Sequence, residues 1–410
     1  TVQALVPQVY VANIRPGDMD GSGALLSAQA ININIKGDVN NSGNIGTSIG
    51  NNIVTSVGNN IDITGNLGNR TLITINAANI NNLQGNIQAS QVSLNAINDI
   101  TNIGGAISAG SQLGINAGRD IKLSSTTTGG AFTRTQIDRL AGVYVVGLGS
   151  TPGSLSLTAG RDINAQAAVI TNTSANGNTN IQAAKDIRLS TVTTDFAAAT
   201  GGGTNYMRMQ TSQDVGSAIN SNGNLTVSAG NNLNATAATL QSSQGATNLT
   251  AGNNVSLLAG QKTSDMAWGS QSTSSGFLSS STTTRRETGS TTQAVGTTVG
   301  GNNVNVTASK DINIKGSTVI ADKDATLKAG NNVNIEAATN TSRQTSFTQK
   351  TESGLLSGGG LGITIGSRTQ SLDQKSQSTT AAASTVGAIS GNININAGQT
   401  YKQVGSDLIA

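Results

Sequence analysis

The fold class predicted for this chain is all-β: a right-handed parallel β-helix (a solenoid) with β-hairpin insertions leaving one edge. Three observations predict it. Aliphatic residues alternate with Asn, Thr or Ser, as in Ile31-Asn-Ile33-Asn-Ile35, Val333-Asn-Ile335 and Ile393-Asn-Ile395, and a period of two in β-branched residues marks strand. Short motifs recur every 20 to 24 residues. A longer unit also recurs, whose core keeps its length while its insertions grow.

The short repeat defines one turn of the solenoid. Gly43-Asn-Ile45, Gly65-Asn-Leu67, Gly85-Asn-Ile87 and Gly105-Ala-Ile107 follow one another at 22, 20 and 20 residues, and later the text Ala-Gly-x-Asp/Asn-aliphatic takes over. Twenty-odd residues divide into three short strands and three turns. Stacking such turns brings each inward residue to its equivalent ~4.8 Å along the axis. The expected inward set of one unit is Val304, Val306, Ile312, Ile314, Ile320, Leu327, Val333 and Ile335. Each contributes roughly 1.5–3 kcal/mol on burial, which offsets the ordering of a turn only when turns are stacked. Asn41, Asn82 and Asn102 either stack into amide ladders or simply form turns.

The long repeat places the insertions. Leu155, Leu225, Val304 and Ile393 open the same local text at spacings of 70, 79 and 89 residues. Residues 1–123 are expected to be plain turns. Residues 124–390 are expected to be turns bearing four insertions (124–152, 190–222, 258–301 and 336–390), and 391–410 the start of the next turn, in one continuous solenoid. All four insertions follow the same strand, past Leu123, Leu189, Leu257 and Ile335, so they leave one edge roughly 10 Å apart. They hold seven of the nine aromatics. The candidate contact surface is therefore Phe132, Tyr144, Phe196, Tyr206, Trp268, Phe277 and Phe347, with the apolar tip residues Leu355, Leu356, Leu361, Ile363 and Ile365. The last two insertions resemble each other, Ser275-Gly-Phe-Leu-Ser279 paralleling Ser353-Gly-Leu-Leu-Ser357, and read as long hairpins able to add strands to one another. The same aromatics also serve as small apolar seeds that hold hairpins together.

Composition narrows the function. Only 10% of residues are charged, the net charge is +3, and the one Arg pair, Arg285-Arg286, is followed by Glu287; no basic stripe offers a nucleic-acid footprint. There is no Cys and no His, and only three Glu (Glu287, Glu336, Glu352). Asp120, Asp162, Asp186 and Asp311 share one repeated turn position, so they serve the turn rather than form a catalytic cluster. No catalytic residue, metal site or cofactor is expected. No apolar run reaches 18 residues. The chain is expected to be a fragment of something longer, with targeting signals elsewhere.

Asn/Ser-x-Gly-Asn/Gly-x-Ile in the first third, then Ala-Gly-Arg119-Asp120-Ile121, Ala-Gly-Arg161-Asp162-Ile163 and Ala-Gly-Asn331-Asn332-Val333, resemble filamentous haemagglutinin repeats. Ser353-Gly-Leu-Leu with Leu361-Gly-Ile-Thr-Ile-Gly366-Ser, and Ser317-Thr-Val-Ile-Ala321, resemble the insertion-bearing repeat class found in large exoproteins of two-partner secretion, including contact-dependent growth inhibition effectors. The resemblance implies a secreted stalk displayed on the bacterial surface. It would be exported by an outer-membrane transporter that acts through a region outside this chain. Its later repeats would engage the target-cell outer membrane or a surface receptor, assisting delivery of a C-terminal toxin. The alternatives are an adhesin for a receptor or glycan and, more remotely, a glycan-processing enzyme.

Overall fold

The computed structural model describes residues 25–28, 31–47, 53–68, 71–130, 134–147, 152–357 and 363–410, and every regular element among them is a strand. Each turn of the solenoid carries three. In one turn these are Thr298–Gly301, Asn303–Ala308 and Ile312–Lys315; in the next they are Thr318–Ala321, Ala325–Ala329 and Asn332–Glu336. Equivalent strands pair parallel and in register: Val299 with Val319, Val306 with Leu327, Ile312 with Val333. Repetition makes three columns. The third is a 12-stranded sheet running from Val39–Asn41 to Thr400–Val404. The first and second join in one 23-stranded sheet, because Asn86–Ala96 and Ala106–Ala117 run through the corner between them. This is the parallel β-helix that the alternation predicts.

The core is a continuous stack of aliphatic side chains from Ile31 to Val386. Of the expected inward set, Val304, Val306, Ile312, Ile314, Leu327, Val333 and Ile335 are buried. Ile320 is not: Val319 and Ala321 point inward and Ile320 is 36% exposed. Two adjacent apolar β-branched residues leave the phase of alternation open. The buried hydroxyl of Ser317, on the same side as Val319 and Ala321, decides it.

The Ala-Gly-x-Asp/Asn motif marks the corner between the second and third columns. A Cβ on Gly160 would stand 2.2 Å from the carbonyl oxygen of Gly118 one turn below, so only glycine lets the backbones approach this way. The acidic or amide residue that follows binds the next turn. Asp162 Oδ1 accepts the backbone N–H of Asp186 at 3.0 Å, Asp186 Oδ1 that of Asn232 at 2.9 Å, and Asp311 Oδ1 that of Asn332 at 3.1 Å. These carboxylates serve the stack, satisfying donors that the corner would otherwise leave open. The buried amide ladder is short. Asn82 donates to Asn102 Oδ1 at 2.9 Å, but Ile63 stands between Asn41 and Asn82. On the outer surface Asn116, Asn95 and Asn76 form a run, with both bonds at 3.0 Å.

Candidate contact surface

The insertions leave at the corner from the third column to the first. From Gln84 onward, wherever no insertion leaves, that corner holds a residue with positive φ: Gln84 (φ 60), Gly104 (58), Ala167 (47), Ala237 (48), Gly316 (57) and Gly405 (58). At the other corners a hairpin takes its place. The four hairpins are Thr126–Thr128 with Arg134–Arg139, Val192–Gly202 with Asn205–Val215, Gly260–Gly276 with Ser279–Val295, and Ala338–Ser357 with Ile363–Ala382. They are shorter than the expected insertions. Gly142–Val145, Ala218–Ser221, Thr298–Gly301 and Thr385–Ala388 lie beyond them as first-column strands of the stack. Ala218–Ser221 has one strong aliphatic in four residues, Ile219, which is too little alternation to separate it from a returning hairpin arm.

A buried hydroxyl stands at the root of each hairpin. Ser125 Oγ donates to the carbonyl of Ala167 at 2.6 Å and accepts the N–H of Ala141 at 2.9 Å. Ser217 donates to Ala165 O at 3.0 Å, Thr297 to Leu258 O at 2.8 Å, and Ser384 to Glu336 O at 2.6 Å. Each satisfies backbone groups where the chain leaves or rejoins the stack. Sequence reasoning missed these four. The signal is a small hydroxyl residue beside the hairpin: Ser217, Thr297 and Ser384 stand just before the returning strand, and Ser125 just before the outgoing one.

The hairpins form one eight-stranded antiparallel sheet beside the solenoid. Consecutive hairpins leave two turns apart and each contributes two strands. Both intervals are about 10 Å at ~4.8 Å per strand, so the sheet grows at the pitch of the stack. The register is unbroken across the last three hairpins, and directly opposed residues share a face.

On one face, opposed residues form the rows Phe196–Thr211–Ser264, Ala198–Met209–Met266–Gly289 and Thr200–Met207–Trp268–Glu287. Phe196 (40%), Met207 (47%) and Met266 (43%) are exposed there, and Met209 beside them is also exposed. Trp268 is half-buried and its Nε1 donates to Glu287 Oε2 at 2.6 Å. The other face carries the row Tyr206–Gly269–Arg286–Phe347, with the Arg208 guanidinium 5.1 Å from the Tyr206 ring centroid. The tips are apolar. Phe277 and Leu278 form the two-residue turn between Gly276 and Ser279; Phe277 is 96% exposed and Leu278 sits at φ 70. Leu355 donates its N–H to Leu278 O at 2.9 Å and lies opposite the exposed Ile365; Leu356 lies opposite Thr364.

The candidate residues thus fall into groups. Phe196 and Trp268 join the methionines on one face, Tyr206 and Phe347 share the other, and Phe277, Leu355, Leu356 and Ile365 gather at the tips. Ile363 lies in the last hairpin, Ile363–Ala382; Phe132 and Leu361 lie outside the described residues. Tyr144 is not in a hairpin: it belongs to the first-column strand Gly142–Val145, half-buried over Gly142, and burial pushes its phenol pKa up. Near the tip, hydrogen bonds from Lys350 and Arg368, both ion pairs at 2.7 Å, hold the Glu352 carboxyl below the usual range. Lys402 does the same for Glu336. Among the described residues no group of His, Cys, Asp or Glu could hold a metal.

The architecture is a parallel β-helix with a lateral sheet of hairpins growing at its own pitch. Residues 198–284 and 274–410 match the hemagglutinin repeat model, and the chain belongs to that family. It is 29% identical to the tRNA nuclease CdiA of Escherichia coli (strain STEC_O31) over 77% of this chain and 10% of that protein. To the deoxyribonuclease CdiA of Dickeya dadantii (strain 3937) it is 32% identical, over 84% of this chain and 10% of that protein. To the tRNA nuclease CdiA-2 of Burkholderia pseudomallei (strain 1026b) it is 29% identical, over 67% and 9%. The chain spans about a tenth of the length of these relatives. No solved structure matches it. Fold and family together make it a stalk segment of a secreted exoprotein.

Proposed function

We propose that this stalk segment is non-enzymatic and that its hairpin sheet engages the target-cell outer membrane. In doing so it would assist delivery of a C-terminal toxin in contact-dependent growth inhibition. The observation that carries the reading is the tip. A two-residue turn of Phe277 and Leu278, 96% and 60% exposed, leaves a large apolar surface in water unless something apolar receives it. Ile365 on the neighbouring hairpin is 80% exposed as well. The nuclease names of the relatives supply the toxin half of the reading. Non-enzymatic character is supported by the acids: the corner carboxylates accept backbone N–H groups, and Glu287, Glu336 and Glu352 are each bonded to a neighbouring side chain. Met207, Met209 and Met266, exposed on one face, favour a second reading, an adhesin for a protein receptor.

The test is co-sedimentation with bacterial outer-membrane vesicles of the parent and of the Phe277→Ser, Leu278→Ser, Ile365→Ser variant. Membrane engagement predicts binding by the parent and at least a tenfold loss in the variant. Equal binding by both would move the contact away from the tips.

A further inference from the structure

Between the Tyr206 row and the tips, one face of the hairpin sheet carries three consecutive rows with no charge. They are Gln271–Thr284–Gln349–Ser371, Thr273–Thr282–Thr351–Thr369 and Ser275–Ser280–Ser353–Ser367. All twelve residues have a hydroxyl or amide side chain. The opposite face of the same strands is different: its rows Ser272–Thr283–Lys350–Gln370 and Ser274–Ser281–Glu352–Arg368 hold three charges in eight residues. A face that needed only solubility would be expected to carry similar charge.

The side chains are spaced ~4.8 Å across strands and roughly 7 Å along them; Thr284, hydrogen-bonded by Gln271, is buried, and the other eleven are at least partly exposed. They are partly pre-ordered. Thr273 and Thr282 share a hydrogen bond at 3.1 Å, and Thr351 and Thr369 one at 3.2 Å. Thr204 Oγ1 donates to Gln271 Oε1 at 3.0 Å, and Gln271 Nε2 to Thr284 Oγ1 at 3.3 Å. Hydroxyls and amides both donate and accept, so the field can match a partner presenting the same groups in either sense. The row bordering it holds two aromatic rings, Tyr206 and Phe347, with Arg286 between them and the Arg208 guanidinium 5.1 Å from the Tyr206 centroid. The Tyr206 ring lies over Gly269, where a Cβ would stand 2.5 Å from its Cε1, and Phe347 stands in the same row. An uncharged field of donors and acceptors beside aromatic faces suits a ligand of many hydroxyls on rings with apolar C–H surfaces.

We infer that this face binds a polysaccharide chain of neutral sugars, running from the Tyr206–Phe347 row across the threonine and serine rows. The inference rests on the reading that the hairpin sheet meets the target-cell surface, and it names the surface class that the sheet meets first.

The test uses the full chain and a lipid-free bacterial surface polysaccharide whose repeating unit holds only neutral sugars, with binding followed by calorimetry. Thr273, Thr282, Thr351 and Thr369 are replaced together by Val, which keeps shape and strand propensity, or by Ser, which keeps the hydroxyl. The inference predicts binding by the parent, at least a tenfold loss in the Val variant, and near-parental binding in the Ser variant. Protein-free phospholipid vesicles lacking saccharide separate the two ideas: the Val variant should bind them as the parent does, whereas the tip-serine variant should keep saccharide binding. No saccharide binding by the parent, or undiminished binding by the Val variant, would overturn the inference while leaving the tip reading standing.

Discussion

The backbone N–H of Ala259 donates to the carbonyl of Lys315 at 3.0 Å, across the point where the hairpin of Gly260–Val295 leaves the stack. One residue later the two chains part: Lys315 turns through Gly316 back into the solenoid, while Ala259 runs out into the lateral sheet. The third-column ladder therefore closes before the insertion begins, so the insertion costs the stack no backbone hydrogen bond there. This explains how the hairpins lengthen along the chain while the turns keep their size.

Ala167 and Ala237 occupy the positive-φ corner that Gly104, Gly316 and Gly405 fill elsewhere. An L side chain there costs roughly 1 kcal/mol. Ala167→Gly and Ala237→Gly should each raise stability by about 0.5–1 kcal/mol. Gly316→Ala should lower it by more, because its Cβ would meet that of Ala338 at 2.4 Å. Amide exchange of the flanking third-column strands reads each effect locally, which suits a solenoid whose turns contact only their neighbours.

The root hydroxyls should matter more than their size suggests. Thr297→Val keeps the shape but removes the donor that serves Leu258 O and the acceptor for the N–H of Ala238. A buried group left unpaired costs about 1–3 kcal/mol. The expected result is a lower denaturation midpoint with unchanged strand content; a midpoint equal to the parent's would show the hydroxyl to be dispensable.

Acid should weaken the plain turns through Asp99. Its carboxyl is held below the usual range first by the hydrogen bond from Arg119, with further help from the N–H of Asp120, against a desolvation that raises it. A depressed carboxylate pKa adds stability that is fully present above the unfolded value of about 3.9 and is lost as pH falls through the folded value. Denaturation midpoints should therefore fall from about pH 5 downward, and Arg119→Gln should flatten that fall. A parallel decline in parent and variant would assign the acid sensitivity elsewhere.

Removing one hairpin should split the sheet and spare the stack. Replacing residues 259–296 by a single glycine copies the corner Lys315-Gly316-Ser317. It leaves Asn205–Val215 and Ala338–Ser357 separated by two strand widths, about 10 Å. Exchange should rise at Met207–Gln213 and Thr341–Gly354 and stay unchanged at Val255–Leu258. Loss of protection throughout would mean that the hairpins hold the solenoid together.

The sequence made the solenoid legible because burial in a stack imposes alternation on every turn, and Ile393-Asn-Ile395 needs no context to read as strand. Hairpin number and exit edge were legible from repeat spacing. Hairpin ends were not: a returning strand such as Ala218–Ser221 carries one strong aliphatic, and Tyr144 looked like an insertion residue because two valines flank it without a repeat to anchor them. The phase of Ile320 depended on the buried Ser317, which is visible only when turns are stacked. The two faces of the hairpin sheet need cross-strand register. Met209 meets Met266, and Thr282 meets Thr351, across gaps of dozens of residues that no local pattern links.

The most direct measurement is the binding of outer-membrane vesicles by the parent and by a chain in which residues 259–296 and 337–383 are each replaced by one glycine. If the hairpin sheet is the contact device, the parent sediments with vesicles, while the excised chain keeps the parallel strands of its solenoid and stays in solution. Equal sedimentation by an excised chain that is still folded would contradict the account and place the contact on the solenoid itself.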